Sequence, residues 1–221
     1  LVRSALLQSA FWAGGGDLEL SLDAYASAYA RRTLAGETPV GPFADIGKAR
    51  DSTVLKAWTA HLTPLNLTDF DRWLRVRIGR GAEHSTADLV LPPIILGENT
   101  APNSAQVELH GHCLPMDPEG KTCLRLMLGK KVEDKHFLPG FIQAVALSAL
   151  NEFHHPYIRV IVVPGDPRLS TRIERYYRVP PHREALEWLT MLAWDLRNTG
   201  HGYRLPIEAV LRWKSDRERS P

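Results

Sequence analysis

Residues 106–131 read QVELHGHCLPMDPEGKTCLRLMLGKK, from Gln106 to Lys131, and the fold turns on this stretch. Val107, Leu109 and Gly111 alternate with Glu108, His110 and His112, the period-two pattern of a strand with one buried face. Asp117-Pro118-Glu119-Gly120 has turn composition: Asp to bond its own backbone, Pro to fix φ, Gly to close. Residues 122–128 then form a return strand, so 106–130 is expected to be a β-hairpin.

Working outward, 138–150 is expected to be a helix with Pro139 in its first turn. Residues 157–163 form an Ile/Val-rich strand buried on both faces. A further strand is expected over 172–179. A helix over 183–198 carries Glu184 and Glu187 early and Arg197 late, with Gly200 beyond its end. Its apolar stripe is Ala185, Trp188, Leu189, Leu192 and Leu196. Upstream, 88–96 reads as an edge or bulged strand because of Pro92-Pro93. Helices are expected over 22–34 and 44–62, the second with Ile46, Leu55, Trp58 and Leu62 toward one face. Residues 1–16 read as an apolar, then Gly-rich, end of a preceding segment. The pattern is α/β with a mixed sheet. A helical N-terminal flank and linker occupy 1–84, and an α/β core with a C-terminal helix and tail occupies 85–221.

Composition narrows the functional classes. The 221 residues carry 27 Lys and Arg against 25 Asp and Glu, a net charge of +2, so contact with a polyanion must come from local patches. No apolar run approaches the roughly 20 residues that span a bilayer. Two cysteines can neither staple a small scaffold nor fill a four-ligand zinc site alone. The chain opens on Leu1 with no signal-peptide pattern, which suggests a cytoplasmic protein and a piece of a longer chain.

His110 and His112 share a strand face, but Cys113 points away from them and no carboxylate has useful ligand spacing, which favours a solvated face. A metal-dependent hydrolase using His110, His112 and Asp117 is the enzymatic alternative. Gly14-Gly15-Gly16 lacks the Lys-Ser/Thr of a phosphate loop and reads as a hinge. The densest basic run is 72–80, where Arg72, Arg75, Arg77 and Arg80 interleave with Trp73. That combination suits phosphate contact with base stacking, and its alternation equally suits a half-buried strand with a solvated Arg face. Lys130 and Lys131 extend the candidate DNA-binding set, and Arg168, Arg172, Arg175 and Arg178 form a second Arg-rich stretch.

The rhythm of strand, Gly111, turn, Gly120, strand, Gly129-Lys130-Lys131 and helix resembles a PD-(D/E)xK nuclease core, the restriction-endonuclease-like fold. Such a core places an acid late in the first strand and an acid-x-Lys on the second. The two carboxylates hold Mg²⁺ and the Lys polarises the attacking water. Here those positions fall on Leu114, Arg125 and Met127, while Gln143 follows in the next helix as in many such nucleases. The likeness therefore implies a nuclease scaffold without catalytic residues.

The chain is moreover similar to the C-terminal part of the gamma chain of exodeoxyribonuclease V (RecC). The likeness runs through residues 34–43, residues 107–111, the helix at 185–196 and Tyr203-Arg204-Leu205-Pro206. Residues 65–83 and 158–179 do not share it. The resemblance implies a non-catalytic subunit of an ATP-driven helicase–nuclease in DNA repair and recombination. In it this subunit scaffolds a beta chain (RecB) and an alpha chain (RecD) and guides double-stranded ends and unwound strands. ATP and Mg²⁺ would act in those partners, with no cofactor in this domain and no membrane contact. A protein-interaction module without DNA contact is the third reading.

Overall fold

A computed structural model describes residues 2–65, 67, 70–79, 87–97, 107–129, 131–166, 168 and 173–198. It is a mixed α/β structure with five α-helices and three small sheets among the described residues. Two compact units emerge. One joins Leu1–Trp73, Arg125–Val132 and Val162–Glu174; the other joins Leu74–Leu124, Glu133–Ile161 and Arg175–Pro221. Among the described residues no helix is long and apolar enough to cross a membrane.

The first unit is built on α1 (Val2–Ala13), α2 (Leu18–Leu34) and α3 (Pro42–Leu62). The apolar part of 1–16 forms α1, which buries Leu6, Leu7, Ala10 and Phe11. Its apolar residues at i, i+1, i+4 and i+5 are a helical face that reads, without context, as a plain apolar run. Gly14, Gly15 and Gly16 form the turn into α2, where the Asp17 carboxylate accepts a bond from the Leu20 N–H at 3.0 Å and caps the helix. On α3, Leu55, Trp58 and Leu62 are buried as expected, whereas Ile46 lies exposed on the first turns. Asp51, buried on α3, is satisfied from two sides by Arg3 and by the Tyr25 hydroxyl, which donates at 2.7 Å. Burial and the adjacent carboxylate both push the Tyr25 phenol upward. Phe11, Trp12, Phe70 and Trp73 pack with ring centroids 5.3–6.0 Å apart.

In the second unit, β1 (Val76–Ile78) pairs in parallel with β2 (Leu89–Leu91). Pro92-Pro93 then breaks the chain, so the single strand expected over 88–96 becomes two. Its second half, β3 (Ile94–Leu96), pairs antiparallel with β4 (Val107–Leu109) in a separate sheet. Next, β5 (Gly111–His112) runs antiparallel to β1, with Arg77 opposite His112 and Ile78 opposite Gly111. The chain continues along the same neighbour to Met116, which exchanges backbone bonds with Leu74 at 2.8 and 3.0 Å. Met116 also bridges to Cys123 in β6 (Thr122–Leu126).

The hairpin therefore exists, but its arms pair over 115–117 and 122–124, not along 106–130. The Asp117 N–H donates to Thr122 C=O, the Leu124 N–H to Pro115 C=O, and the Gly120 N–H closes the turn on Asp117 C=O. Gly120, at φ 72°, supplies the left-handed backbone this turn needs. The Asp117 carboxylate holds the exit by accepting from the Lys121 and Thr122 N–H groups.

After β6 come α4 (Leu138–Ala149) and β7 (Tyr157–Val163), then β8 (Glu174–Arg178) and α5 (His182–Asn198). The sheet order is β6–β7–β8. Arg159 N–H bonds Lys121 C=O in the second unit, and Met127 N–H bonds Val163 C=O in the first. Both strands advance together between these two bonds, which is the sense of a parallel pair joined by a helical crossover. Val179 N–H to Pro156 C=O and Val162 N–H to Ile173 C=O run in opposite senses and make β8 antiparallel. Every residue of β7 from Val160 to Val163 is buried, as its unbroken apolar run requires.

Gly140 explains how α4 reaches the sheet: a Cβ there would lie 2.6 Å from the Cys123 sulfur and 2.7 Å from a Val160 methyl. On α5, Ala185 and Leu189 are buried, but Trp188 and Leu192 of the expected stripe are 44% and 39% exposed. The Leu196 side chain, Gly200 and the 203–206 segment lie outside the described residues.

Candidate functional site

The positions where a nuclease of the resembling type carries its chemistry start on the hairpin. Leu114 lies half-buried, directly before the paired residue Pro115. Its backbone is held by the Gln143 side chain: Gln143 Oε1 accepts from the Leu114 N–H at 2.6 Å, and Gln143 Nε2 donates to the Leu114 carbonyl at 3.1 Å. Gln143 is itself 5% exposed, so both ends of its amide are satisfied inside the protein. Thus α4 pins the backbone at Leu114.

On β6, Cys123, Arg125 and the following Met127 alternate with Thr122, Leu124 and Leu126, so the acid-x-Lys places share the Cys123 face of the strand. Burial lowers the Arg125 guanidinium from its ordinary range. Met127 is half-buried and its backbone is occupied on both sides: its N–H bonds Val163, and its carbonyl accepts the Trp58 indole N–H at 3.0 Å. A thioether, a leucine side chain and a guanidinium supply none of the hard oxygen ligands that a Mg²⁺ site needs.

The basic run is largely committed to structure. Arg75 grips Asp88 through Nε and Nη at 3.0 and 2.9 Å, and the Arg75 N–H bonds the same carboxylate at 2.9 Å. This fork holds Asp88 down to about 2, and the carboxylate raises Arg75. Arg77, expected on a solvated face, is buried at 9% exposure, and with Val76 and Ile78 also buried both faces of β1 are covered. Arg72 is exposed, as is Lys131. Arg80, Lys130 and Arg172 lie outside the described residues. In the second Arg-rich stretch, Arg175 pairs with Asp134 and stacks over the Phe137 ring at 4.8 Å.

The histidines of the hydrolase reading are exposed. His110 Nε2 lies 3.2 Å from the Glu108 carboxylate, and the imidazole covers Gly79. His112 is exposed on β5. Asp117, the proposed acid, is engaged in the turn. Among the described residues no group of three His, Cys, Asp or Glu side chains is placed to hold a metal ion. Burial pushes the Cys113 thiol to about 12 and raises Cys123 further, so neither is an activated nucleophile.

The Gln143 clamp on Leu114 was only half visible in the sequence. Gln143 stands out as a polar residue in an apolar helix, but its target requires the crossover that brings α4 behind the hairpin. In comparisons with known proteins, no family model, no characterised protein and no solved structure matches the chain.

Proposed function

We propose that this chain is a nuclease-like domain that has lost its chemistry, the C-terminal domain of a RecC-type gamma subunit of exodeoxyribonuclease V. In this reading it cleaves nothing. It scaffolds a RecB-type beta chain and a RecD-type alpha chain in the cytoplasm and guides DNA strands as double-strand ends are resected for recombinational repair. ATP and Mg²⁺ act in the partner subunits.

The observation that carries the reading is the Gln143–Leu114 clamp, which sets α4 against the hairpin on which the PD-(D/E)xK resemblance rests. A hairpin arm, a second strand, a helix packed behind it and a parallel strand follow one another here. The succession β6, α4, β7 supports the reading, whereas residues 107–112, expected as the first hairpin arm, pair with β3 and β1 instead; the three chemical positions of the resemblance fall on Leu114, Arg125 and Met127.

The test is co-assembly. The chain, joined to the rest of the gamma subunit, should co-purify with beta and alpha chains, and the complex should bind a forked duplex. Failure to assemble with either partner sinks the reading.

A second reading, an interaction module without DNA contact, is favoured by one observation: Arg75 is neutralised by Asp88 and Arg77 is buried. A forked duplex titrated at rising salt separates the two. Guidance of DNA predicts salt-dependent binding weakened in Arg72→Glu or Lys131→Glu; the module predicts no such binding. Arg77→Glu is unsuitable for this purpose, since it places a carboxylate in a buried strand.

A further inference from the structure

A cavity of about 220 Å³ opens within the second unit between β1, β2, the 116–120 turn, the end of α4 and the 152–155 loop. Its walls are apolar and ordered by the core: Val76, Leu91, Met116, Leu147 and Phe153 are each at most 7% exposed. Leu74 and Leu89, at 36% and 41%, stand at the wall where it meets solvent. The acidic lining is Asp117, Glu119 and Glu152, and the imidazoles of His154 and His155 complete the polar lining. Among the described residues no Lys or Arg lines it. Asp117 is turned to the backbone of Lys121 and Thr122, and Glu119 pairs with Lys121 at 2.6 Å. Glu152 is exposed and makes no ion pair among the described residues. The wall is braced, because the His155 ring nitrogen Nε2 lies 2.9 Å from the Glu119 carbonyl and ties the 152–155 loop to the turn.

Size and charge together select an occupant. Cofactors and drug-sized ligands take cavities of roughly 300–1,000 Å³, which this one does not reach. A dry cavity of about 150 Å³ already accepts benzene, so the space here suits one large apolar side chain. The carboxylate lining repels phosphate and attracts a cation. We propose that the cavity docks a peptide segment of a partner protein, inserting one large aliphatic or aromatic side chain and setting an adjacent Lys or Arg against Glu152. The apolar insertion supplies affinity and the ion pair sets register and specificity. This surface does not depend on the nuclease-like reading.

The experiment uses the whole 221-residue chain with ¹³C-methyl-labelled Met and Leu and N-acetylated hexapeptide probes. One probe carries a central Leu flanked by Lys, a second replaces that Leu with Phe, a third replaces it with Ala, and a fourth flanks the Leu with Glu. The Lys-flanked Leu or Phe probe should shift the Met116 and Leu147 methyl signals saturably. The Ala-centred and Glu-flanked probes should bind at least about tenfold more weakly, and Glu152→Lys should reverse the preference for flanking charge. Glu152 is exposed, so that variant should keep the wild-type spectrum elsewhere. Methyl signals unmoved by either Lys-flanked probe up to its solubility limit would overturn the proposal. So would equal binding of the Glu-flanked probe, or a Glu152→Lys variant with unchanged preference.

Discussion

Gln143 is the residue on which the packing of α4 against the hairpin depends most locally. Replacing it with Leu keeps the volume but removes an acceptor from the Leu114 N–H and a donor from its carbonyl. Leaving such a partly buried backbone pair without partners costs about 1–3 kcal/mol per group. Gln143→Leu should lower unfolding stability by at least about 1 kcal/mol, measured by denaturant titration. It should also speed hydrogen exchange at the Leu114 amide ahead of the rest of the hairpin. Asp88 gives a pH-dependent counterpart. Its carboxyl is held at about 2 in the folded chain, below the ordinary carboxylate range. The stabilisation from Arg75 is thus fully present above the unfolded pKa near 3.9 and is lost as pH falls toward 2. With side chains 50% and 36% exposed, solvent screening keeps this under about 1 kcal/mol. The stability gap between wild type and Asp88→Asn should be widest near neutral pH and close by about pH 2. A gap independent of pH would remove the ion pair as its cause.

Among the elements, α4 is the one whose approach to the sheet is least forgiving. Gly140→Ala adds a methyl where the Cys123 sulfur and a Val160 methyl already sit. Overpacking of this kind costs about 1–3 kcal/mol, against at most about 1 kcal/mol gained from the better helix propensity of Ala. Chemical denaturation should therefore show Gly140→Ala destabilised, and a neutral or stabilised variant would contradict the close packing. Periodicity was enough to read these elements. Residues 157–163 bound β7 as expected, and 138–150 and 183–198 match α4 and α5 to within a residue. Pairing was not legible. The alternation over 106–114 marks strand character, yet β4 spends it on β3 and β5 spends it on β1, because the partner strands come from 76–96. A strand pattern states which face is buried, not which neighbour supplies the backbone bonds. The same gap explains Arg77. Its place in an alternating run suggests solvent, whereas in the fold both faces of β1 are covered.

At the scale of the molecule, the chain returns to each unit after leaving it, so residues 125–132 and 162–174 belong with the N-terminal helices. No composition shift marks such returns, since they fall inside β6 and β7. What composition did convey is restraint in charge. With a net charge of +2, Arg75 paired and Arg77 buried, the 72–79 run offers little positive charge to a polyanion. The candidate positions were read in the opposite way, by what is missing: under the proposed resemblance, Leu114, Arg125 and Met127 would take the places of ligands and a water-polarising Lys.

The most direct measurement of that central claim is divalent-metal-dependent cleavage of a forked duplex, run with Mn²⁺ titration calorimetry on the same samples. The wild-type chain should neither cleave nor bind Mn²⁺ in the hairpin, and the combined variant Leu114→Asp, Arg125→Asp, Met127→Lys should gain Mn²⁺ binding. Cleavage by the wild-type chain, lost in Met127→Ala, would contradict the account.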